Sequence, residues 1–274
     1  EGICGTSSGS MVGALYAAGY TPDQIAEELY IPRPITMVNV SWRPWKGFFC
    51  MNNAPSLNGP EFGPENTSGN IEQLIILLHG LGADGFDLIN LAPHFSQAIP
   101  NARFVSPNAP ENCDMATPGT QAGFQWFSLQ SRKESDMLTG ARDAEPILSK
   151  FIDEQLKKYN LSEDKIALIG FSQGTMMSLF VSMRRKAKIA GVIGFSGQLI
   201  GKEALKNETI SHPPVILING DQDELIPIQE QQIAIQELRA VGVEVEGHII
   251  PNLGHSIDAE GIEIARHFLE KIFN

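Results

Sequence analysis

From Ile71 to the C-terminus, short apolar runs rich in Ile, Leu and Val alternate with longer stretches of helical spacing, and this alternation narrows the fold more than any other feature. A half-exposed strand would be apolar only at every second position, so uninterrupted apolar runs read as strands buried on both faces. Such strands need helices that cross over and cover the sheet. The candidate strands are Gln73 to Leu78, Arg103 to Ser106, Lys165 to Gly170, Ala190 to Phe195, Val215 to Asn219 and Val243 to Ile250. The candidate helices between them are Phe86 to Ala98, Ala141 to Tyr159, Gln173 to Arg185, Ile228 to Val241 and Ala259 to Phe273. Residues 71–274 are therefore expected to form an α/β domain with a mostly parallel sheet and helices on both faces.

The first 70 residues have a different texture. A Gly-rich turn precedes the small-residue run Met11 to Ala18, and Thr21-Pro22-Asp23 sets an N-cap and a first-turn proline ahead of Gln24 to Leu29, which predicts two helices within residues 1–40. Pro, Gly, Asn and Ser then accumulate up to Asn70, interleaved with Trp42, Trp45, Phe48 and Phe49 without any period, and residues 41–70 read as a linker.

Charge and cysteine usage exclude several classes of function. The 274 residues carry 20 Lys and Arg against 32 Asp and Glu, a formal charge of -12 that repels phosphate backbones. The one basic cluster, Arg184, Arg185, Lys186 and Lys188, has the spacing of a solvated helix end, so no nucleic-acid partner is expected. No apolar run approaches the roughly 18 residues of a membrane-spanning helix. Cys4, Cys50 and Cys113 are scattered, without CxxC spacing or a histidine cluster. Neither a disulfide framework nor a zinc site is expected, and a reducing, cytoplasmic compartment fits best.

The chemistry gathers at strand ends. Gly170-Phe171-Ser172-Gln173-Gly174 fits G-x-S-x-G directly after one apolar run and directly before a helical stretch. A sharp turn there exposes the serine hydroxyl, and the helix N-terminus aims unpaired N–H groups at a developing oxyanion. A serine hydroxyl needs a base, and the base needs an orienting carboxylate. Asp223 follows the strand Val215 to Asn219, with Asp221 as its competitor, and His255 follows the next strand in Gly254-His255-Ser256. Ser172, Asp223 and His255 thus stand in hydrolase order at carboxyl ends of strands, where open α/β sheets build their sites. His94, His212, His248 and His267 lack a strand-end glycine turn and read as structural.

One rival motif competes. Gly80, Gly82 and Gly85 in His79-Gly80-Leu81-Gly82-Ala83-Asp84-Gly85 spell the dinucleotide fingerprint. That reading requires an acidic residue at the end of the next strand, and Arg103-Phe104-Val105-Ser106-Pro107 offers none. Read instead as a histidine-glycine loop, the segment supplies a backbone N–H near Leu81 as the second oxyanion donor.

Taken together, His79-Gly80-Leu81-Gly82, the pentapeptide around Ser172, Gly220-Asp221-Gln222-Asp223 with Ile226-Pro227, and Gly254-His255 resemble the phospholipase/carboxylesterase family, which includes acyl-protein thioesterases. The resemblance spans residues 71–274. It implies an α/β-hydrolase fold without a cofactor or metal, Ser172 as nucleophile, His255 as base, Asp223 as its orienter, and the Leu81 and Gln173 amides as oxyanion hole. Gln125-Trp126-Phe127 is similar to the family's aromatic stretch, which implies that Trp126 and Phe127 border the acyl pocket. Thr175 stands where the family often has a second glycine or alanine. Residues 1–40, with Gly5-Thr6-Ser7-Ser8-Gly9, resemble a truncated patatin-like fragment, in which Ser7 is expected to be inert because the upstream loop and a partner Asp-Gly are missing. The resulting expectation is a serine carboxylesterase acting on a small-molecule or lipid ester with an apolar acyl group. Lysophospholipase and acyl-protein thioesterase activities are the alternatives within that chemistry, and a non-catalytic α/β binding module is the alternative outside it.

Overall fold

The computed structural model describes residues 57–64, 71–115 and 122–274. The two expected N-terminal helices, Ser7 and the linker aromatics Trp42 to Phe49 lie outside the described residues.

In chain order the elements are β1 (Glu61–Phe62), β2 (Gln73–Leu78), α1 (Gly85–Ile89), α2 (Ala92–Phe95), β3 (Ala102–Val105), β4 (Glu111–Asn112), β5 (Phe124–Gln125) and α3 (Glu134–Tyr159). They continue as β6 (Ile166–Phe171), α4 (Gln173–Ser182), β7 (Gly191–Phe195), α5 (Lys202–Glu208), β8 (Val215–Gly220), α6 (Ile228–Ala240), β9 (Val245–Ile250) and α7 (Ala259–Phe273). Seven strands form one sheet in the order β1-β3-β2-β6-β7-β8-β9. All neighbours pair in parallel except β1, which runs antiparallel to β3 along the edge. A separate two-stranded sheet joins β4 to β5.

Side-chain alternation along β2 divides the core. Leu74, Ile76 and Leu78 pack with Leu148, Phe151 and Ile152 of α3 and with α4 and α6, while Ile75 and Leu77 pack with α1, α2 and the α7 stripe Ile262, Ala265, Phe268 and Leu269. Both faces are thus covered by helices, as strands apolar at every position require. No helix among the described residues is long and apolar enough to cross a membrane.

Four elements differ from the sequence reading for identifiable reasons. The single helix expected over Phe86 to Ala98 is two short ones, because Pro93 has no N–H to give the carbonyl of Ile89 and its ring would collide there. Helix α3 begins at Glu134 rather than Ala141; Gly140, which looks like a break, sits where a Cβ would lie 2.7 Å from Cβ of Phe127, so it is a point of close packing inside the helix. Within the segment read as linker, Glu61–Phe62 form the edge strand β1, Leu57 is buried in the core, and Glu61 receives hydrogen bonds from Arg103, Lys158 and Tyr159. Helix α5 was not anticipated, since only Leu205 of its seven residues is buried and one apolar side chain sets no period.

The strand order locates the site. From β2 the chain moves to β3 on one side and then crosses back to β6 on the other, so the direction of winding reverses between β2 and β6. In open α/β sheets the crevice at the carboxyl ends of such a pair is where ligands bind. Here those ends carry His79-Gly80-Leu81 and Ser172.

Candidate active site

Ser172 lies between β6 and α4 with φ 54° and ψ −115°, a backbone conformation that L-residues avoid. Its N–H donates to the carbonyl of Phe195 at 2.9 Å and its own carbonyl accepts from Met176, which lock the turn. The flanking glycines follow from the crowding this turn creates. A Cβ on Gly174 would lie 1.8 Å from the carbonyl oxygen of Leu78, and one on Gly170 would lie 2.4 Å from the backbone of Gly174 and Thr175. Strand and helix can meet this closely only without side chains. Gly174→Ala is accordingly expected to cost about 1–3 kcal/mol or more of stability, read as a lower urea midpoint. An unchanged midpoint would mean that α4 can move away from β2 freely.

Thr175, the departure from the family pattern, is buried behind the turn. Its hydroxyl lies 2.8 Å from the carbonyls of both Gly170 and Phe195 and donates to one of them at a time. Its methyl fills the space left by Gly194 and Gly197, where added Cβ atoms would come within 2.5 Å and 2.3 Å of the threonine side chain. The extra bulk is absorbed on the side away from the cavity.

Asp223, in the loop after β8, is buried and fully engaged. One carboxylate oxygen accepts the N–H groups of Leu225 and Ile226 at 3.0 and 2.9 Å, and the other lies 2.8 Å from Nδ1 of His255. Since a carboxylate can only accept, Nδ1 carries a proton, and in a neutral imidazole this leaves the lone pair on Nε2. Burial alone would raise the Asp223 pKa, but the hydrogen bond from His255 and the two amides outweigh it and hold the carboxyl below the usual range. Asp221, the competitor, is exposed and instead accepts the N–H of Asn252 at 2.6 Å, which ties its loop to the one leading to His255. The imidazole of His255 packs against the ring of Phe171 with centroids 4.9 Å apart.

The loop after β2 is held by a buried frame. The carbonyl of Gly80 lies 2.7 Å from Nδ1 of His79, and the N–H of Ala109 lies 3.0 Å from Nε2. These partners fix the neutral Nδ1–H tautomer, and burial pulls the imidazole pKa down to about 4. Gly82, at φ 78°, donates to the carbonyl of Phe124, and Nε1 of Trp126 donates to the carbonyl of His79 at 3.0 Å. Gln173 completes the frame. Its side chain accepts the N–H of Trp126 and donates to the carbonyl of Phe127, at 3.0 and 2.7 Å. Its own N–H belongs to the first turn of α4, where no partner exists within the helix. The two candidate oxyanion donors, Leu81 and Gln173, are thereby tied to a common support.

Ser172 and His255 line one cavity of about 480 Å³, together with Leu81, Leu129, Met137, Phe171, Met176 and Ile226. Trp126 and Phe127, expected to border the acyl group, do not line it. They are 1% and 2% exposed and serve as scaffold, because their backbone and the indole N–H are consumed in holding Gln173 and His79. The apolar wall comes instead from Leu81, Phe171 and Ile226, which belong to the motifs, and from Leu129, Met137 and Met176, which the folded chain brings to them.

Asp87 also lines this cavity, and burial pushes its carboxyl up to about 7, with the charge of Asp84 adding to the shift. An unfolded aspartate titrates near 3.9, so between about pH 4 and 7 the folded chain holds a proton that the unfolded chain has released. Stability contributed by this group therefore falls as pH rises through that window and levels off above it. Asp87→Asn stays uncharged throughout, so its stability relative to the parent is expected to grow from about pH 4 to 7 in parallel urea titrations. A pH-independent difference would show that Asp87 titrates as a solvated carboxyl.

Residues 65–273 match the phospholipase/carboxylesterase family. The chain belongs to this family. Among its curated relatives, acyl-protein thioesterase 1 of Aspergillus fumigatus is 30% identical over 215 residues, covering 72% of this chain and 87% of the relative. Esterase YpfH of Escherichia coli is 29% identical over 195 residues, covering 71% and 80%. Among solved structures, esterase PE8 superposes with a TM-score of 0.73 at 35% identity, over 80% of this chain and all of that one. The fold is that of an α/β hydrolase, and this phospholipase/carboxylesterase member is a hydrolase.

Proposed function

We propose that the chain is a serine carboxylesterase that cleaves carboxylic esters with an apolar acyl group through an acyl-enzyme intermediate. The observation that carries this reading is the Asp223–His255 pair, 2.8 Å apart, opening onto the same cavity as a serine in a strained strand-to-helix turn. Ser172 Oγ attacks the ester carbonyl while Nε2 of His255 takes its proton, and the Leu81 and Gln173 amides receive the oxyanion. The imidazolium, stabilised by Asp223, returns the proton to the departing alcohol. Water then repeats the sequence on the acyl-enzyme and releases the acid. The cavity's Leu, Met, Phe and Ile lining supports an apolar acyl group.

A protein thioester is the second reading, favoured by relatives named acyl-protein thioesterase 1. A serine-directed phosphonate followed by peptide mass spectrometry tests the mechanism. An adduct on Ser172 is the expected result, while an unlabelled chain would support a non-catalytic binding module. Rates on esters and thioesters of rising acyl length then separate the two substrate readings.

A further inference from the structure

The cavity beside Ser172 is apolar on most of its wall, yet Arg132 also lines it. Acids outnumber bases 32 to 20 in this chain, so arginines readily find carboxylates. Arg103, Arg142, Arg184, Arg185 and Arg266 are ion-paired, and Arg239 donates to the carbonyl of Val245. Arg132 differs from all of these. Among the described residues its exposed guanidinium has no ion pair and no hydrogen bond, although it borders a concave site.

The other charged groups of the cavity are committed or neutralised. Glu134 accepts the backbone N–H groups of Gly201 and Lys202 at 2.8 and 3.4 Å. Lys202 reaches Glu230 at 3.5 Å, so these two charges offset each other. Asp87, with its carboxyl pushed up to about 7, adds little negative charge on the acid side of neutrality. Glu134 keeps its charge on those two amides, and Arg132 is the cavity cation that has no partner among the described residues, a planar group with five donors near a nucleophile and an apolar wall. That geometry suits an oxyacid group, carboxylate or phosphate, on a substrate whose acyl chain lies along the apolar residues.

We propose that Arg132 is a specificity determinant for esters that carry an anionic oxyacid group. This rests on the esterase reading above and adds to it a substrate class. The anion can sit at the far end of the acyl chain or on the alcohol, and both sources present the same chemistry to a guanidinium.

Two matched pairs of substrates distinguish the sources and test the idea. For the acyl side, kcat/KM is compared for the mono-4-nitrophenyl ester of glutaric acid and for 4-nitrophenyl valerate. For the alcohol side, it is compared for 1-butyrylglycerol 3-phosphate and for 1-butyrylglycerol. In the parent at low salt, the anionic member of at least one pair is expected to be preferred. Arg132→Gln should lower that anionic-to-neutral ratio about tenfold, Arg132→Lys should retain part of it, and added salt should erode it. The ratio is read within each variant, so any general change in folding or turnover cancels. A ratio in Arg132→Gln equal to the parent's in both pairs overturns the role of Arg132 while leaving the esterase intact. Failure of the parent to hydrolyse any of the four esters overturns the esterase reading itself, and the proposal with it.

Discussion

Ser172→Ala is expected to lower turnover on simple carboxylic esters by about 10³-fold or more while leaving the urea midpoint near that of the parent. The substitution removes one oxygen and adds nothing to a turn whose crowding lies at Gly170 and Gly174, so the backbone at φ 54° has no new collision to relieve. Asp223→Asn is the more informative companion. An amide can place its NH₂ toward Nδ1 of His255, which would reverse the tautomer and put the imidazole proton where the serine must deliver its own. By precedent with other triads this costs about 10⁴-fold in turnover. The Leu225 and Ile226 amides that now hold one Asp223 oxygen still find an acceptor in asparagine, so the loop should survive. Parent-like hydrolysis by purified Ser172→Ala, with the phosphonate adduct absent from that position, would remove Ser172 from the mechanism. The same result for Asp223→Asn would mean that His255 is oriented by something other than this carboxylate.

These residues could be proposed from the sequence because each sits beside a signal that survives without coordinates. The run Ile166 to Ile169 ends in Gly-Phe-Ser-Gln-Gly, and the runs before Asp223 and His255 end in their own glycines, so strand ends and chemistry mark each other. The choice of Asp223 over Asp221 has a physical trace too, since Asp221 reads as a turn residue of its own loop, and in the fold its carboxylate accepts the N–H of Asn252. The central sheet was legible for the same reason: β2, β6, β7 and β8 are buried and almost wholly apolar along their length and leave no second period to choose. Elements with few buried residues, β1 and α5, had no pattern to read. The cavity wall was illegible for a different reason. Leu129 follows the Gln125-Trp126-Phe127 stretch and Ile226 follows the Asp223 motif, but Met137 and Met176 lie on helices with no motif around them, and nothing in either segment says that it meets the others. Arg132 is invisible in the sequence because what distinguishes it is the lack of a partner, which only the placement of every other charge reveals.

Trp126 is where a resemblance and the structure lead to opposite kinetic expectations. If its ring faced the acyl chain, shortening it would raise KM, most of all for long acyl groups, and leave folding largely alone. The ring is instead 1% exposed, tilted against His79 with centroids 5.8 Å apart, and has its N–H on the carbonyl of that histidine. Trp126→Ala is therefore expected to cost about 3–5 kcal/mol of stability, because the cavity it leaves lies between the sheet end and α3 and cannot collapse without moving the loop of Gly80 and Leu81. Trp126→Phe isolates the polar part: the ring volume is largely kept, while the buried His79 carbonyl loses its donor at a cost of about 1–3 kcal/mol. In that variant kcat and kcat/KM should fall together and by a similar factor for short and long acyl esters if the amide that loosens is the oxyanion donor proposed above. A rise in KM that grows with acyl length, at unchanged kcat and unchanged urea midpoint, would instead make Trp126 part of the acyl pocket and would require the cavity at Ser172 to open toward it when substrate binds.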